Sequence, residues 1–471
     1  MRSDFVKKDY GAHVSVEGSA THTSEGESYR TLLRYFIPEC ISALFLYTVP
    51  FLVDAYFVAN LESIELYSTL GATNNLTHLI IKTAEAFSVG TLILCGNYNG
   101  KADYPAVGRV IRDAFWFTAG VGLLFSTLLY GWSTVIYLWY VPASMVSTGA
   151  LFLKVKSLSI FVMFIDMALI GFLRGIKNTR IPMYVFVGGL LTFLMTDYMF
   201  IFGFYGIPAL GLYGSAVASL AQYSVMFVLL LLIIVSSRSY RKYSINFFSF
   251  SFKSTEWYRL FILSLPILFD KVILAFAYVW LCAMMKPLGE KAVAVFCIIK
   301  DMERCAMIPA IAFAPVITFL VSNDKHWDAV QRNVKRVLFL SIVMVCLVLL
   351  FFCFYLKPVI HCFDRKREFV TMAVRVFPGL SILAFFDSLQ LILAAALRGV
   401  GQVFIVMKTR FLVFFLYFIP VSYGIVYWLP IEDIELKFLC VYGSFYIGNA
   451  LMSILYINQA RLGKLEQALS V

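Results

Sequence analysis

The chain has 471 residues, 61% of them apolar and 14% charged, with a mean hydropathy of +0.82; that balance excludes a water-soluble domain of any size. A formal net charge of +11 often accompanies nucleic-acid binding. Here Lys and Arg stand in short clusters between apolar runs, not in a basic stripe interleaved with aromatics, so no nucleic-acid partner is expected. The nine cysteines show no CxxC or Cys/His spacing, which argues against a structural metal and reads as reduced packing residues.

In chain order, residues 1–29 are polar and lack the 7 to 15 residue apolar core of a cleaved signal, so they are expected to form a loose cytoplasmic tail. Beyond them, twelve stretches approach the length of about 20 apolar residues that a helix needs to cross a bilayer with its backbone satisfied. Their expected limits are 32–58, 68–96, 111–137, 149–173, 181–203, 211–236, 257–284, 292–321, 336–357, 370–397, 403–428 and 436–458. The fold class is therefore an all-α polytopic membrane protein, with the lipid bilayer as its first partner.

The loops orient it, because Lys and Arg accumulate on the cytoplasmic side. Lys101/Arg109/Arg112, Arg174/Lys177/Arg180, Arg238/Arg241/Lys242/Lys253, Lys325/Arg332/Lys335/Arg336 and Lys408/Arg410, together with both ends, put roughly 25 basic residues on one side against roughly 7 on the other. Both termini are expected in the cytoplasm of a plasma (inner) membrane. Lys357 with Arg365 to Arg367 is a local contradiction that must lie outside.

The chain also repeats itself. Asn99-Gly100-Lys101, leading into Ala106-Val107-x-Arg109-x-x-Arg112, is answered by Asn323-Asp324-Lys325, leading into Ala329-Val330-x-Arg332-x-x-Lys335. Leu173-Arg174-Gly175 is answered by Leu397-Arg398-Gly399 at a nearly equal offset, and each half opens with a proline, Pro38 and Pro266. Equal numbers of spans in equal orientation make this a parallel repeat. The expected organisation is a six-helix bundle over 30–236, a cytoplasmic linker over 237–256, a second six-helix bundle over 257–458 and a cytoplasmic tail over 459–471, the two bundles being pseudo-symmetric.

No catalytic template is present: no Walker A loop, no HExxH and no Gly-x-Ser-x-Gly elbow. No enzyme activity and no cofactor are expected, so any transport draws on an ion gradient. The informative residues are charges inside spans, since a charge at the bilayer centre costs about 3 kcal/mol or more unless it lines a polar cavity. Asp54, in Pro50-Phe-Leu-Val-Asp54, can take Na⁺ transiently as a hard oxygen ligand or take up a proton, or it can serve as a hydrogen-bond partner fixing a bend at Pro50. Asp197 lies deep in the fifth span and is expected to face Asp54. Ser215 and Ser219 offer hydroxyls on a small-residue face that also suits plain helix packing. Asp387 and Asp270 are candidates in the second half, Asp270 pointing about 100° from its neighbour Lys271. Lys300-Asp301-Met302-Glu303-Arg304 serves either a substrate or a self-neutralised network, and Lys82 with Glu85 suits a local i, i+3 pair. His78 reads as a wetted interfacial residue.

Several of these segments together resemble the multidrug and toxic compound extrusion (MATE) family, as a divergent member of bacterial type. Pro38 with Val53-Asp54, Phe172-Leu-Arg174-Gly175-Ile-Lys-Asn-Thr-Arg-Ile-Pro182, Asp197-Tyr-Met-Phe-Ile-Phe-Gly203 and Leu210-Gly211-x-x-Gly214-Ser215-Ala216 carry the similarity. The resemblance implies two bundles around a central cavity and export of a small organic, drug-like or cationic solute in exchange for H⁺ or Na⁺. It implies that Asp54, with Asp197, couples the cation, and that Asp387 joins a substrate or second cation site; Asp270, Ser215, Lys300 and Asp301 are candidates for that site from their own positions in the chain. Two departures stand out: Phe193 occupies a position where many members carry Asn, and Leu274 one where the sodium-coupled and eukaryotic branches carry Glu. A flippase for a lipid-linked oligosaccharide or other anionic amphiphile is the alternative within the same superfamily. The protein is expected to act as a monomer.

Overall fold

A computed structural model describes residues 26–204, 206, 208–248, 255–324, 326–358 and 370–461. Most of both tails, Lys253, Lys325 and the basic cluster Arg365 to Arg367 lie outside the described residues.

The described residues are helical, and eleven helices are long and apolar enough to span a membrane: Tyr29–Ala59, Glu65–Gly100, Tyr104–Trp139, Ala143–Gly175, Arg180–Phe202, Leu212–Ser236, Glu256–Leu288, Trp327–Phe354, Thr371–Gly399, Val403–Tyr427 and Ile434–Ala460. The twelfth span is a bent pair, Glu290–Ala306 and Ile308–Asn323, angled by 46°. All twelve expected spans are found; they are numbered here 1 to 12 in chain order.

The observed helices often outrun their apolar cores, because hydrogen bonding continues past the hydrocarbon. Arg109, Arg112, Arg332, Lys335 and Arg336, read from sequence as loop charges, are thus on helical extensions of spans 3 and 9. Prolines explain the irregular spans. Span 1 is interrupted at Thr48, two residues before Pro50, whose missing N–H cannot continue the ladder. Span 8 breaks at Met307, just ahead of Pro309. Span 11 passes through a π turn at Phe414–Phe418 before Pro420.

Spans 1 to 6 pack into one lobe around span 4, and spans 7 to 12 into a second around span 10. The repeat is built into the turns that close these central helices. After span 4 the amides of Lys177 and Asn178 donate to Arg174 O and Leu173 O; after span 10 those of Gly401 and Gln402 donate to Arg398 O and Leu397 O. Both turns need the left-handed conformation at the same position, met by Lys177 at φ 63° and by Gly401 at φ 86°. Each span also ends on a glycine without which it would clash with its neighbour: a Cβ on Gly175 would lie 2.9 Å from Leu92 O, and one on Gly399 2.8 Å from Thr318 O.

The lobes meet at the end of the molecule that holds Tyr29, here termed the base. Asn99 and Asn323, repeat counterparts 224 residues apart, join across the lobes at 2.7 Å, and Asn323 also donates to Gly175 O at 2.8 Å. Backbones approach closely there, since a Cβ on Gly100 would lie 2.4 Å from Asn323 O. One apolar cluster runs through the contact, bringing Leu32, Phe36 and Ile93 against Phe313, Val316 and Phe319. The basal halves of spans 1 and 8 pack on each other, whereas their far halves, Val49–Ala59 and Glu290–Ala306, pack chiefly within their own lobes. Contacts between the lobes thus concentrate at the base and leave the far halves of spans 1 and 8 unpacked against each other, a separation here termed the cleft.

Candidate functional site

Charge is distributed unequally over three places: a chamber in the first lobe, a network in the second, and the cleft between them.

The first-lobe chamber is a small cavity of about 40 Å³, lined by Asp54, Lys156, Thr77, Phe193, Ser219 and Gln222, among others. Span 1 delivers Asp54 just past its Pro50 interruption, 3% exposed. Span 5 delivers Asp197, 0% exposed, and span 6 delivers Ser215, also fully buried and facing Asp54. Lys156, on span 4, is the electrostatic neighbour of both carboxylates. It reaches Asn74 Oδ1 at 3.5 Å. Asp54 Oδ1, both oxygens of Asp197 and Ser215 Oγ lack hydrogen-bond partners among the described residues. Buried acceptors in that condition cost free energy unless a cation, proton or water joins them. Asp197 is not part of the lining itself; with Asp54 and Lys156 it makes two carboxylates to one ammonium, one formal negative charge in the buried surroundings of the chamber. Phe193, one of the two departures from the family pattern, forms part of the apolar wall.

Span 4 also carries Asp166, 0% exposed, with neither oxygen hydrogen-bonded among the described residues. Its electrostatic neighbour Tyr223 lines the same chamber. Sequence reading missed Lys156 and Asp166, although both interrupt the apolar run of span 4 and the mid-span criterion applied to Asp54 would have flagged them.

The second lobe gives each buried acid a partner, although Glu303 Oε1 and Arg398 Nε have none among the described residues. Asp270 accepts from Arg398 Nη2 through one oxygen and from Arg410 Nε through the other. Arg410 falls within the expected span 403–428 although its charge is counted with the cytoplasmic connections; it is turned into the lobe, 5% exposed. The counterpart pair in the first lobe is Glu39 with Arg174, joined at 2.6 and 2.9 Å. In each lobe an acid on the first span therefore holds the arginine that ends the fourth. Asp387 accepts from Asn449 Nδ2 at 3.2 Å, and Glu303 accepts from the Tyr442 hydroxyl. A small cavity of about 20 Å³ is lined here by Leu274, Arg410, Asn449 and mostly apolar groups. Leu274, the second departure, makes this wall apolar where an acid was the family expectation.

The residues grouped from sequence as one substrate or second cation site do not converge. Ser215 is beside Asp54, Asp270 and Asp387 are within the second lobe, and Lys300 and Asp301 are on the far half of span 8. That last segment is not a self-neutralised network: Glu303 turns inward to Tyr442, and no ion pair joins Lys300 or Arg304 to Asp301 or Glu303 among the described residues. Across the cleft, Lys82 does pair with Glu85, at 3.2 Å, and Lys271 of the other lobe shares the same Oε2 at 2.9 Å.

Twelve spans in two repeated lobes, joined at one end and holding buried carboxylates inside, define a polytopic membrane transporter. The MatE family model matches the chain twice, over residues 40–199 and 266–423, and the protein belongs to that family. A "Multidrug resistance protein MdtK" of Edwardsiella ictaluri is 23% identical over 408 residues, covering 84% of this chain and 87% of its own. The protein of the same name from Photorhabdus laumondii is 25% identical over 256 residues, 53% of this chain, and the matched stretch spans only 55% of that relative. Among solved structures, one described as "Crystal structure of MATE in the bent conformation" superimposes with a TM-score of 0.84 at 17% identity, covering 95% of this chain and 98% of the other. Another, described as the "Outward-facing conformation of a multidrug resistance MATE family transporter of the MOP superfamily", has a TM-score of 0.82 at 17% identity, covering 94% and 97%.

Proposed function

We propose that the protein is a secondary antiporter of the inner membrane, with both termini cytoplasmic, that exports a small organic solute in exchange for one monovalent cation per binding event. The observation that carries this reading is the first-lobe chamber, where Asp54 and Asp197 share Lys156 and retain acceptor oxygens without partners. A cation that reaches the chamber neutralises the remaining charge, and the change in attraction among Asp54, Asp197 and Lys156 re-packs spans 1, 4, 5 and 6. That re-packing biases the basal contact at Asn99–Asn323 to open and the far end to close, so that the cleft faces the two sides alternately.

The proton is the better of the two ions. It adds to a carboxylate oxygen as a covalent O–H, whereas Na⁺ must recruit several oxygens within the field of the Lys156 ammonium, which repels it.

Proteoliposomes carrying the purified protein and given a pH gradient or a Na⁺ gradient separately test both statements, with fluorescent organic solutes of either charge as reporters. Flux driven by the pH gradient and lost in Asp54→Asn is the expected result. Unchanged flux in that variant would sink the coupling role, and flux driven by Na⁺ alone at clamped pH would sink the choice of ion.

A further inference from the structure

We infer that the solute site in the cleft is built for an organic anion, bound by carboxylate or phosphate groups against Lys82, Lys271, Lys300 and Arg304. This deepens the antiport reading by naming the class of solute, and it departs from the cationic solute that the family resemblance implies.

Four cations from both lobes face one space. Lys82 on span 2 and Lys271 on span 7 divide a single carboxylate oxygen of Glu85. Lys300 and Arg304 stand four residues apart, so they share a face of the far half of span 8. His78, on the first lobe, has Lys82, Arg304, Lys271 and Lys300 as its electrostatic neighbours. The span 8 residues therefore reach across the cleft and are not turned to lipid on the outside of their own lobe. Arg304 is exposed and Lys300 half-buried. No ion pair with an acid holds either among the described residues. The acids within reach in sequence are spoken for or off the face: Glu303 is turned to Tyr442, and Asp301 points about 100° away from Lys300.

The energetics favour an anionic occupant. Mid-span cations at this depth are costly to hold, about 2.5–3.5 kcal/mol each by insertion scales, and are kept where they line a watered pathway or meet a counter-charge. Four cations outnumber Glu85, while the neighbouring acids are engaged elsewhere, Asp270 by Arg398 and Arg410, Asp387 by Asn449 and Glu303 by Tyr442; the excess leaves a positive field that low-dielectric walls concentrate, which attracts anions and repels cations. The acidic chamber of the first lobe is separate, so the coupling cation and an anionic solute do not compete for one group.

The test uses the purified full-length chain in lipid nanodiscs with two dyes, calcein as an organic polyanion and ethidium as an organic cation, read by fluorescence anisotropy. Wild type is expected to bind calcein more tightly than ethidium, with an affinity that falls as salt rises. The Lys300→Gln/Arg304→Gln double variant is expected to bind calcein at least about tenfold more weakly, equivalent to about 1.4 kcal/mol, while Lys300→Arg keeps it. Should the double variant lose its monodisperse size-exclusion profile, Lys271→Gln alone serves the same comparison. Competition by benzoate and by phenyl phosphate distinguishes the two anionic groups, either being consistent with the inference. Tighter binding of ethidium than calcein, or calcein binding indifferent to all these substitutions, overturns it. The two readings fail separately: ethidium exported on a pH gradient without calcein binding refutes the anion site and leaves antiport standing, whereas charge-dependent calcein binding without any gradient-driven flux does the reverse.

Discussion

The two lobes descend from one repeated pattern and close their central helices with the same turn, yet they treat buried charge differently. In the second lobe Asp270 is gripped by Arg398 and Arg410, and Glu303 and Asp387 each have a partner. In the first, the counterpart pair Glu39–Arg174 is likewise satisfied, but Asp54, Asp197 and Asp166 retain oxygens with no hydrogen bond among the described residues. Glu303 Oε1 of the second lobe is in the same condition among the described residues, so the difference is one of degree: a largely paired network has less to gain from a passing cation than acceptors left open around the first-lobe chamber. Duplication thus supplied the frame, and the difference in pairing separates a lobe suited to coupling from one suited to rigidity.

Substitutions can break this contrast. The largest effect is expected from Asp54→Asn, which should bring gradient-driven flux in proteoliposomes to background, while Asp387→Asn leaves most of it; equal losses would mean that coupling is shared by the lobes. Next, Asp270→Asn leaves Arg398 and Arg410 buried without their common counter-charge. It should destabilise the protein by about 3–5 kcal/mol, seen as a lower unfolding temperature in detergent. Glu39→Gln should cost less, since it orphans a single arginine that is 15% exposed.

At the base, Gly100→Val should force the backbones of spans 2 and 8 apart and widen the distance between spin labels on the two lobes, because even one Cβ there would lie 2.4 Å from Asn323 O. Asn99→Ala, which removes the bond to Asn323 and the acceptor of the buried Tyr243 hydroxyl, should cost about 1–3 kcal/mol. The smallest effect sharpens the repeat itself. Lys177→Gly should raise stability by about 0.5–1 kcal/mol, by releasing a left-handed lysine, and Gly401→Ala should lower it by about the same amount. Urea-dependent protease susceptibility would detect both changes.

Much of this was legible in the chain. Span number follows from hydropathy because a bilayer accepts no unsatisfied backbone, and the parallel repeat was visible in Asn99/Asn323 and Arg174/Arg398. Asp54 and Asp197 stood out as charges in apolar surroundings, as Lys156 and Asp166 would have by the same criterion. The partners of these residues were not legible. Asp270 and Arg410 lie 140 residues apart, and Glu85 and Lys271 186; hydropathy reports that each is out of place without saying which charge it meets. Arg410 reads with the cytoplasmic charges because the register of a helix start decides whether such a residue faces headgroups or the lobe interior.

The sequence by itself determined a membrane protein of twelve spans in two like halves, since length, apolarity and repetition are properties of the chain read along its axis. Only the tertiary structure decided which charges are spent on one another and which remain available. Pairing depends on helix faces and on approach between distant spans, and those are set by glycines, prolines and packing throughout the fold.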